Sequence, residues 1–277
     1  MGSQAEKGRI FRELHRRDGA FIIPNPWDIG SARLLASTGF EALATTSVGY
    51  AFSVGRRDHE IARDEMIAHV TALAAATDLP LSADLENGYG DDTGTVAETI
   101  RMAAGAGLSG CSIEDSTNRS DDPIYALDFA AERIRAAVDA VRALPFPFML
   151  TARSENYLHG RKDLNDTIKR LQAFQEAGAD VLYAPGITDM EDITTLVKSV
   201  DRPVNVLAGM QGVHFDMGEL SRSGVKRVSV GGALARVALG AFLRAAREMK
   251  ERGTFTFVDE PISSREISDM LGDSTKA

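Results

Sequence analysis

Short apolar or β-branched runs alternate along the chain with longer stretches of helical periodicity. Each run leads into a polar or glycine-containing turn, and an amphipathic segment follows, as at 61–77, where Met66, Val70 and Leu73 share one face. The runs are GAFIIPN, ALATTS, PLSADLE, GCSIED, FMLTARS, DVLYAPG, PVNVLAG and RVSVGG. Because no hairpin signal separates them, we predict a parallel sheet, and the number eight predicts a closed (β/α)8 TIM barrel of the α/β class. An open doubly wound sheet is the alternative.

Capping signals mark several predicted helix starts. Thr95 with Glu98 and Thr188 with Glu191 each fit a capping box, in which two side chains satisfy free amides of the first turn. A further helix is predicted in PISSREISDMLGD, after the last barrel helix. Its capping box is Ser263 with Glu266, and its apolar face is formed by Ile267, Met270 and Leu271.

The terminal helix determines how we divide the chain. The outer ring of the barrel is complete before this helix begins, so its apolar face is expected to bind a neighbouring copy. We assign residues 1–260, including an N-terminal helix, to the barrel, and residues 261–277 to an oligomerisation helix and tail. No Pro/Gly/Ser-rich linker interrupts the barrel segment up to residue 250, so we predict one catalytic domain.

Composition excludes several classes of protein. The net charge of -9 among 277 residues argues against a nucleic-acid binder, whose affinity depends on neutralising phosphates. The lone cysteine, Cys111, excludes a disulfide framework and a multi-cysteine metal site, and suggests a reducing compartment. No stretch resembles a membrane span or the apolar part of a secretory signal, so we expect no membrane partner and a cytoplasmic location.

Polar side chains collect where the predicted strands end, which in a (β/α)8 enzyme is the catalytic face. Asp84 and Glu86 lie two residues apart, and strand alternation would direct both to the same side. An isolated pair of this kind is ordinarily a pair of solvated loop acids. Here Glu114 and Arg153 end the next two strands, so three carboxylates would converge beside one guanidinium. A hard divalent cation is the simplest way to stabilise them.

Several motifs at these positions resemble the isocitrate lyase/phosphoenolpyruvate mutase superfamily. They are NPWD, GRRD, DLENGYGD, SIEDS and ARSENYLHGR, and the likeness spans nearly the whole chain. The resemblance implies Mg2+, with Mn2+ as an alternative, bound directly by Asp84 and through water by Glu86 and Glu114. It also implies that the metal and the backbone amides near Thr46 and Ser47 hold a 2-oxo carboxylate.

The resemblance further implies a reaction through a metal-bound enolate of a small 2-oxo acid, with cleavage of a carbon-carbon bond or decarboxylation. Arg153 would hold the developing negative charge, so the expected catalytic residues are Arg153, Glu114 and Asp58. The expected substrate-binding residues are Thr46, Ser47, Tyr50, Asp84, Arg153 and Asn205. In this family the terminal helix is often exchanged between subunits, which implies a homo-oligomer, a tetramer built as a dimer of dimers.

Two stretches depart from the family pattern. The segment 116–128, STNRSDDPIYALD, has no cysteine, lysine or histidine, which disfavours a cysteine-acid lyase and a standard phosphonomutase. The sixth strand ends in YAPG, where mutases place a histidine. A carbon-phosphorus bond enzyme of the phosphonopyruvate hydrolase or mutase type is an alternative that these departures disfavour. A non-catalytic 2-oxo acid-binding protein, which has lost its acid/base group with this loop, is the other alternative.

The general acid or base is left open by the sequence. Asn118, Arg119 and Tyr50 are candidates for contact with the substrate. Of the histidines, His159 has the position nearest to the barrel mouth, whereas we expect His59 and His69 to be structural or solvated.

Overall fold

A computed structural model describes residues 2–259 and 261–272 of the chain. Eight strands alternate with helices throughout this part, as the hydrophobic pattern predicts. The elements are α1 (Gln4–Arg16), β1 (Phe21–Ile23), α2 (Ile29–Ser37), β2 (Leu43–Ala44), α3 (Ser47–Ser53), α4 (Arg63–Ala76), β3 (Leu81–Asp84), α5 (Thr93–Gly105), β4 (Gly110–Glu114), α6 (Leu127–Arg142), β5 (Met149–Arg153), α7 (Leu164–Ala177), β6 (Val181–Tyr183), α8 (Met190–Lys198), β7 (Val204–Leu207), α9 (Met217–Arg222), β8 (Arg227–Ser229), α10 (Ala233–Arg252), a 3-10 turn (Thr256–Asp259) and α11 (Ser264–Leu271).

The strands form one parallel sheet in the order β1-β8-β7-β6-β5-β4-β3-β2. At the seam, the amide of Ala44 donates to the carbonyl of Pro24 at 3.1 Å, which joins β2 to the end of β1. The sheet is therefore a nearly closed barrel, and the predicted TIM-barrel class is confirmed. Parallel strands that are buried on both faces read as continuous apolar runs, which is why the sequence pattern identified them.

The register of the sheet places polar residues in one row. Glu114 pairs with Arg153, Arg153 with Tyr183, Tyr183 with Asn205, and Asn205 with Arg227. The five strands from β4 to β8 thus each contribute one polar side chain at neighbouring positions. These side chains form a single polar row across the sheet.

The N-terminal end of the barrel is closed by α1. Phe11 of this helix packs with Phe21, Met149 and Val181 in an apolar cluster separate from the main core between strands and helices. Gly8 lies against the loop before β5, where an added Cβ would be 2.1 Å from the carbonyl oxygen of Pro147. The barrel floor is thus apolar and tightly packed, and the opposite end carries the polar groups.

Two of the predicted helix caps are wrong. The cap of α5 is Asp92, which accepts from the amide of Thr95, and the cap of α8 is Asp189, one residue after Thr188. In each case a nearby aspartate takes the capping position, since a carboxylate both caps and complements the positive end of the helix. Ser263 caps α11 as predicted.

The terminal helix α11 lies against α2 of its own barrel. Its apolar side chains Ile267, Met270 and Leu271 stay partly exposed there. Its exchange between subunits and the domain division after residue 260 stay predictions, and residue 260 and the tail 273–277 lie outside the described residues. No helix in ranges 2–259 and 261–272 is long and apolar enough to span a membrane.

We predict that Gly8→Ala weakens the barrel, because its Cβ would meet the backbone oxygen of Pro147. The expected loss in the free energy of unfolding is about 1–3 kcal/mol, as for other overpacked sites. Gly105→Ala in α5 is the matched control, since no atom lies within 4 Å of its added Cβ. It should be neutral or gain up to roughly 1 kcal/mol. Urea unfolding measures both, and equal stabilities would show that α1 is not closely docked.

Candidate active site

A cavity of about 190 Å³ opens at the C-terminal ends of the strands. It has room for roughly six water molecules, so it suits a small metabolite. Thr46, Ser47, Asp58, Asp84, Arg153, Tyr183, Asn205 and Arg227 are among the residues that line it. The structure thus brings most of the predicted site residues to one place.

Arg153 lies at the centre of this site and is only 13% exposed. Its Nη1 is 2.9 Å from Asp84, and its Nη2 is 3.3 Å from Glu114 and 2.8 Å from Glu155. Burial disfavours the charged guanidinium, yet the three carboxylates hold the pKa of Arg153 well above its usual value. Its guanidinium also lies 5.2 Å from the centre of the Tyr183 ring. The arginine is therefore charged and fixed in position.

Asp84 ties the strand-three end to the turn after strand two. Its Oδ2 accepts from the amide of Ser47 at 3.3 Å and from its hydroxyl at 3.0 Å. Its Oδ1 accepts from Ser112 at 3.4 Å and from Arg153. Thr45 accepts from the backbone amide of Asp84. The turn that was predicted to hold a substrate carboxylate is thereby fixed to the predicted metal ligand.

Glu86 reaches the site by a route that strand alternation does not describe. The strand ends at Asp84, and Glu86 has a φ of 49°, in the left-handed region. We expected both acids to point the same way because they would be alternate residues of one strand. That reason is wrong, since Glu86 lies beyond the end of the strand. Glu86 is 4% exposed, its Oε2 lies 3.0 Å from Nδ1 of His59, and its Oε1 has no hydrogen-bond partner among the described residues. Burial raises the pKa of Glu86, and His59 opposes that shift.

Asp58 and His59 come from the loop between α3 and α4. Nε2 of His59 lies 3.7 Å from Asp58, and its Nδ1 contacts Glu86. The hydrogen bond with Glu86 raises the pKa of His59 to about 9, although burial opposes it. Asp58, His59 and Glu86 offer possible metal-ligand atoms within 4.8 Å of one another. Sequence reasoning missed His59, and the only signal for it was its place beside Asp58.

The end of β4 sends two acids to opposite sides, as strand alternation requires. Glu114 faces Arg153, and burial together with Glu155 and Asp84 raises its pKa well above the usual value, against the effect of Arg153. Asp115 instead faces Arg170 at 3.2 Å, and burial raises its pKa to about 6. Glu114 therefore reaches the site through Arg153 and does not itself line the cavity, whereas Asp115 pairs with Arg170 of α7.

Several predicted residues lie elsewhere. The ring of Tyr50 is stacked on His69 with centroids 3.6 Å apart, and Tyr50 does not line the cavity. Arg119 pairs with Asp91 at 2.8 Å on the surface. His159 contacts the hydroxyl of Ser116 at 3.2 Å. The structure therefore gives no direct route from Tyr50 to a substrate, and its binding role stays a prediction.

Tyr183 and Arg227 line the cavity and were not anticipated as part of the site. Tyr183 ends β6 next to Arg153 in the sheet register. Arg227 donates from Nε to Asn205 at 2.9 Å and from Nη2 to Thr151 at 3.0 Å. Burial lowers the pKa of Arg227 to about 10. The apolar context of RVSVGG gave no signal for this arginine, because its partners come from distant strands. Cys111 is fully buried in β4, and burial raises the pKa of its thiol, as expected for a structural cysteine.

A family model described as phosphoenolpyruvate phosphomutase matches residues 11–250. The chain belongs to the phosphoenolpyruvate phosphomutase family. An uncharacterized protein from Mycobacterium tuberculosis is 32% identical over 244 residues, which cover 87% of this chain and 89% of that protein. The 2-methylisocitrate lyase of Escherichia coli is 28% identical and covers 71% of this chain and 68% of its own. The oxaloacetate decarboxylase of Chromohalobacter salexigens is also 28% identical, covering 90% and 87%.

Solved structures agree with this membership. A candidate lyase/mutase from Burkholderia cenocepacia is 63% identical with a TM-score of 0.95, covering 98% of this chain and 97% of its own. A 2,3-dimethylmalate lyase of the PEP mutase/isocitrate lyase superfamily is 25% identical with a TM-score of 0.86, covering 98% and 95%. The resemblance inferred from the motifs is confirmed, and these phosphomutase-family relatives support the prediction of a lyase.

We predict that Arg153→Met destabilises the protein by about 3–5 kcal/mol in the presence of a chelator, because buried carboxylates lose their cationic partner. Arg119→Met is the control. It removes an exposed pair with Asp91 and should cost less than about 1 kcal/mol. Chemical unfolding at neutral pH compares them. Similar losses for the two variants would mean that the three acids do not depend on Arg153.

Proposed function

We propose that this protein is a divalent-metal-dependent lyase that acts on a small 2-oxo acid, or on its 2-hydroxy precursor, through an enolate. The reaction is cleavage of a carbon-carbon bond or decarboxylation. The observation that carries the proposal is the contact of Arg153 with Asp84, Glu114 and Glu155 over a cavity of about 190 Å³. A fixed guanidinium at such a place can stabilise negative charge that grows during the reaction.

The residues at the mouth fit a divalent cation. Carboxylates gather there around Arg153 and His59, and the carboxylates are Asp58, Asp84, Glu86, Glu114 and Glu155. Oε1 of Glu86 is buried without a partner in the described part of the chain, which is the state of an acceptor suited to a cation. Mg2+, with Mn2+ as an alternative, would be held by Asp84 directly and by Glu86 and Glu114 through water. Bound there, the ion would polarise the 2-oxo group.

The chain itself positions the substrate. The amide of Ser47, beside Thr46 at the cavity wall, is available to a substrate carboxylate if the ion displaces its 3.3 Å contact with Asp84. Arg153 needs no rearrangement, since its three carboxylate partners already fix its orientation. Of these two groups, only the guanidinium, aimed at charge that grows during the reaction, would favour the transition state over the bound substrate.

Proton handling falls to groups beside the cavity. Glu114 is a candidate to hold and release a proton, because burial raises its pKa. Asp58 lines the cavity, and burial raises its pKa as well. Asn205 also lines the cavity and is a candidate to hydrogen-bond the substrate.

The substrate class follows from the size of the cavity and from the relatives. A small carboxylic acid is supported by the names 2-methylisocitrate lyase and oxaloacetate decarboxylase. The segment 116–128 supplies no cysteine or lysine, so an acid group of the cysteine-lyase type is absent from it. We therefore favour decarboxylation or cleavage that needs no thiol.

A substrate panel tests the proposed function. Oxaloacetate, malate-type, citrate-type and phosphonopyruvate compounds are incubated with and without Mg2+, and the release of pyruvate, glyoxylate, CO2 and phosphate is measured. We expect metal-dependent release of a 2-oxo acid or CO2. Phosphate release would instead support a carbon-phosphorus bond enzyme. Binding without turnover on the whole panel would support a non-catalytic binding protein.

We predict that Asp84→Asn lowers turnover by more than roughly 100-fold, since the loss of supporting partners alone costs about 10- to 100-fold at metal sites. Calorimetry with Mg2+ should show weakened metal binding in parallel. Asp64→Asn is the control, because this carboxylate is 85% exposed on α4 and should leave both properties unchanged. Metal affinity equal to that of the wild type would mean that Asp84 is not a ligand.

We also propose that the chain forms a homotetramer, a dimer of dimers, in which α11 contributes to a subunit interface. Helix α10 exposes large apolar side chains, with Val237 at 69% and Phe242 at 66%, and Phe255 follows at 60%. Large apolar side chains exposed on one helix and the segment after it support an interaction surface. The partly exposed face of α11 is an apolar surface of the same kind.

We predict that removing residues 261–277 lowers the oligomer mass in light scattering or causes aggregation, because apolar surface loses its cover. Phe242→Ser on α10 should weaken the same assembly. An unchanged, soluble oligomer after the deletion would show that α11 only covers α2 of its own barrel.

A further inference from the structure

The two sides of the active-site cavity differ in charge. The acids that line it, Asp58 and Asp84, come from the loop after α3 and from the end of β3. The side formed by β6, β7, β8 and the turns after them is lined by Tyr183, Pro185, Asn205, Leu207, Arg227, Ser229, Gly231 and Gly232. None of these lining residues, all within the described range 2–259, is an acid. Gly232 also caps the N-terminus of α10, and this end of a helix favours an anion.

Arg227 is a buried cation on this side, and its described partners are all neutral. The residue is 5% exposed, and its Nε and Nη2 donate to the side chains of Asn205 and Thr151. Its Nη1 is buried with no hydrogen-bond partner in ranges 2–259 and 261–272. Burial lowers the pKa of the guanidinium to about 10, so the group stays charged at neutral pH. Buried charges are ordinarily paired, so this one indicates an anion that binds in the cavity.

Arg227 also fixes the orientation of the Asn205 amide. A guanidinium can only donate, so the atom of Asn205 that faces Nε is the acceptor Oδ1, at 2.9 Å. The nitrogen Nδ2 then points away from Arg227, donates to Ser229 at 3.0 Å and keeps a second hydrogen. Arg227 and Asn205 thus both offer donors on this side. A carboxylate, which only accepts, complements them.

The side chain of Arg227 crosses the barrel to the strand that carries Arg153. Its Nη2 contacts Thr151 of β5. Thr151 and Arg153 lie two residues apart on this strand, so they point to the same face, and their Cα atoms are about 7 Å apart. The two guanidinium groups therefore lie at neighbouring levels of one cavity, and one small molecule can contact both.

We propose that Arg227 and Asn205 bind a second carboxylate of the substrate, so that the substrate is a small dicarboxylate whose 2-oxo or 2-hydroxy end lies at the acidic side. The proposal rests on the proposed function for the position of that end, and it narrows the substrate class. Arg227 is a specificity-determining residue in this arrangement, because an acid with one carboxylate leaves its charge unpaired. A site built to pair a charge rejects an analogue that lacks the partner group.

Calorimetry of the full chain with Mg2+ present tests the second carboxylate. The two probes are malate and 2-hydroxybutyrate, which are both four-carbon 2-hydroxy acids, and only malate has a second carboxylate. We expect the wild type to bind malate about 10- to 100-fold more tightly, the range for hydrogen bonds to charged groups. Arg227→Met should bind malate as weakly as 2-hydroxybutyrate, and its affinity for 2-hydroxybutyrate should not change.

Two further variants accompany this measurement. Lys226→Met is the matched control, because it removes a cation one residue earlier whose Nζ donates to the carbonyl of Arg17, away from the cavity. It should keep the preference for malate. Arg227→Gln keeps a donor for Asn205 without the charge, and it replaces Arg227→Met if that variant does not fold. The preference should be lost in this variant too.

The possible results separate this proposal from the proposed function. Equal affinities of the wild type for the two acids overturn the dicarboxylate. An equal loss of both affinities in Arg227→Met also overturns it, since Arg227 would then only hold the barrel together. Both results leave the proposed function standing if the substrate panel shows metal-dependent turnover. If neither acid binds, the dicarboxylate is overturned, and if the panel also shows no turnover, the proposed function fails with it.

Discussion

The contact of one guanidinium with three carboxylates organises this molecule. Arg153 ends β5 and pairs with Asp84 at the end of β3, with Glu114 at the end of β4 and with Glu155 just beyond its own strand. Without a cation these acids would repel one another at the buried mouth of the barrel. The guanidinium offsets this repulsion, so neighbouring parallel strands can all end in acidic residues. The mouth of the barrel is therefore a polar cavity and not a packed apolar layer.

Other loops at the mouth of the barrel contain non-glycine residues with positive φ, a backbone conformation that such residues rarely adopt. The non-glycine residues with positive φ are His59, Glu86, Tyr89 and Asn118 among those described, and each belongs to a loop at the C-terminal ends of the strands. Non-glycine residues with unfavourable backbone angles, gathered at one end of a barrel, are expected where residues are selected for a functional site and not for stability.

Membership of the phosphoenolpyruvate phosphomutase family agrees with this division between scaffold and site. The fold is shared closely with the Burkholderia cenocepacia protein at 63% identity and with 2,3-dimethylmalate lyase at 25%. The departures from the resembled lyases and mutases that the sequence analysis identified are the segment 116–128 and the YAPG stretch at the end of β6. Chemistry on one fold changes through such loop and strand-end positions, since the packed barrel places few demands on them.

The sequence by itself determined the eight strands, the helices between them and the acidic strand ends, because hydrophobic periodicity is a local property of the chain. It predicted Asp84, Glu114 and Arg153 at one mouth for the same reason. The capping residues Asp92 and Asp189 were missed because neighbouring polar residues compete for one cap.

Only the tertiary structure decided which groups meet. Asp84 and Arg153 are 69 residues apart, and Glu86 and His59 are 27 residues apart. The turn at Glu86 interrupts the strand alternation that the sequence pattern assumed. Arg227 of β8 hydrogen-bonds Thr151 of β5, a contact between distant parts of the chain. Hydrogen-bond partners, burial and the resulting pKa shifts depend on distances between strands, which no local pattern contains.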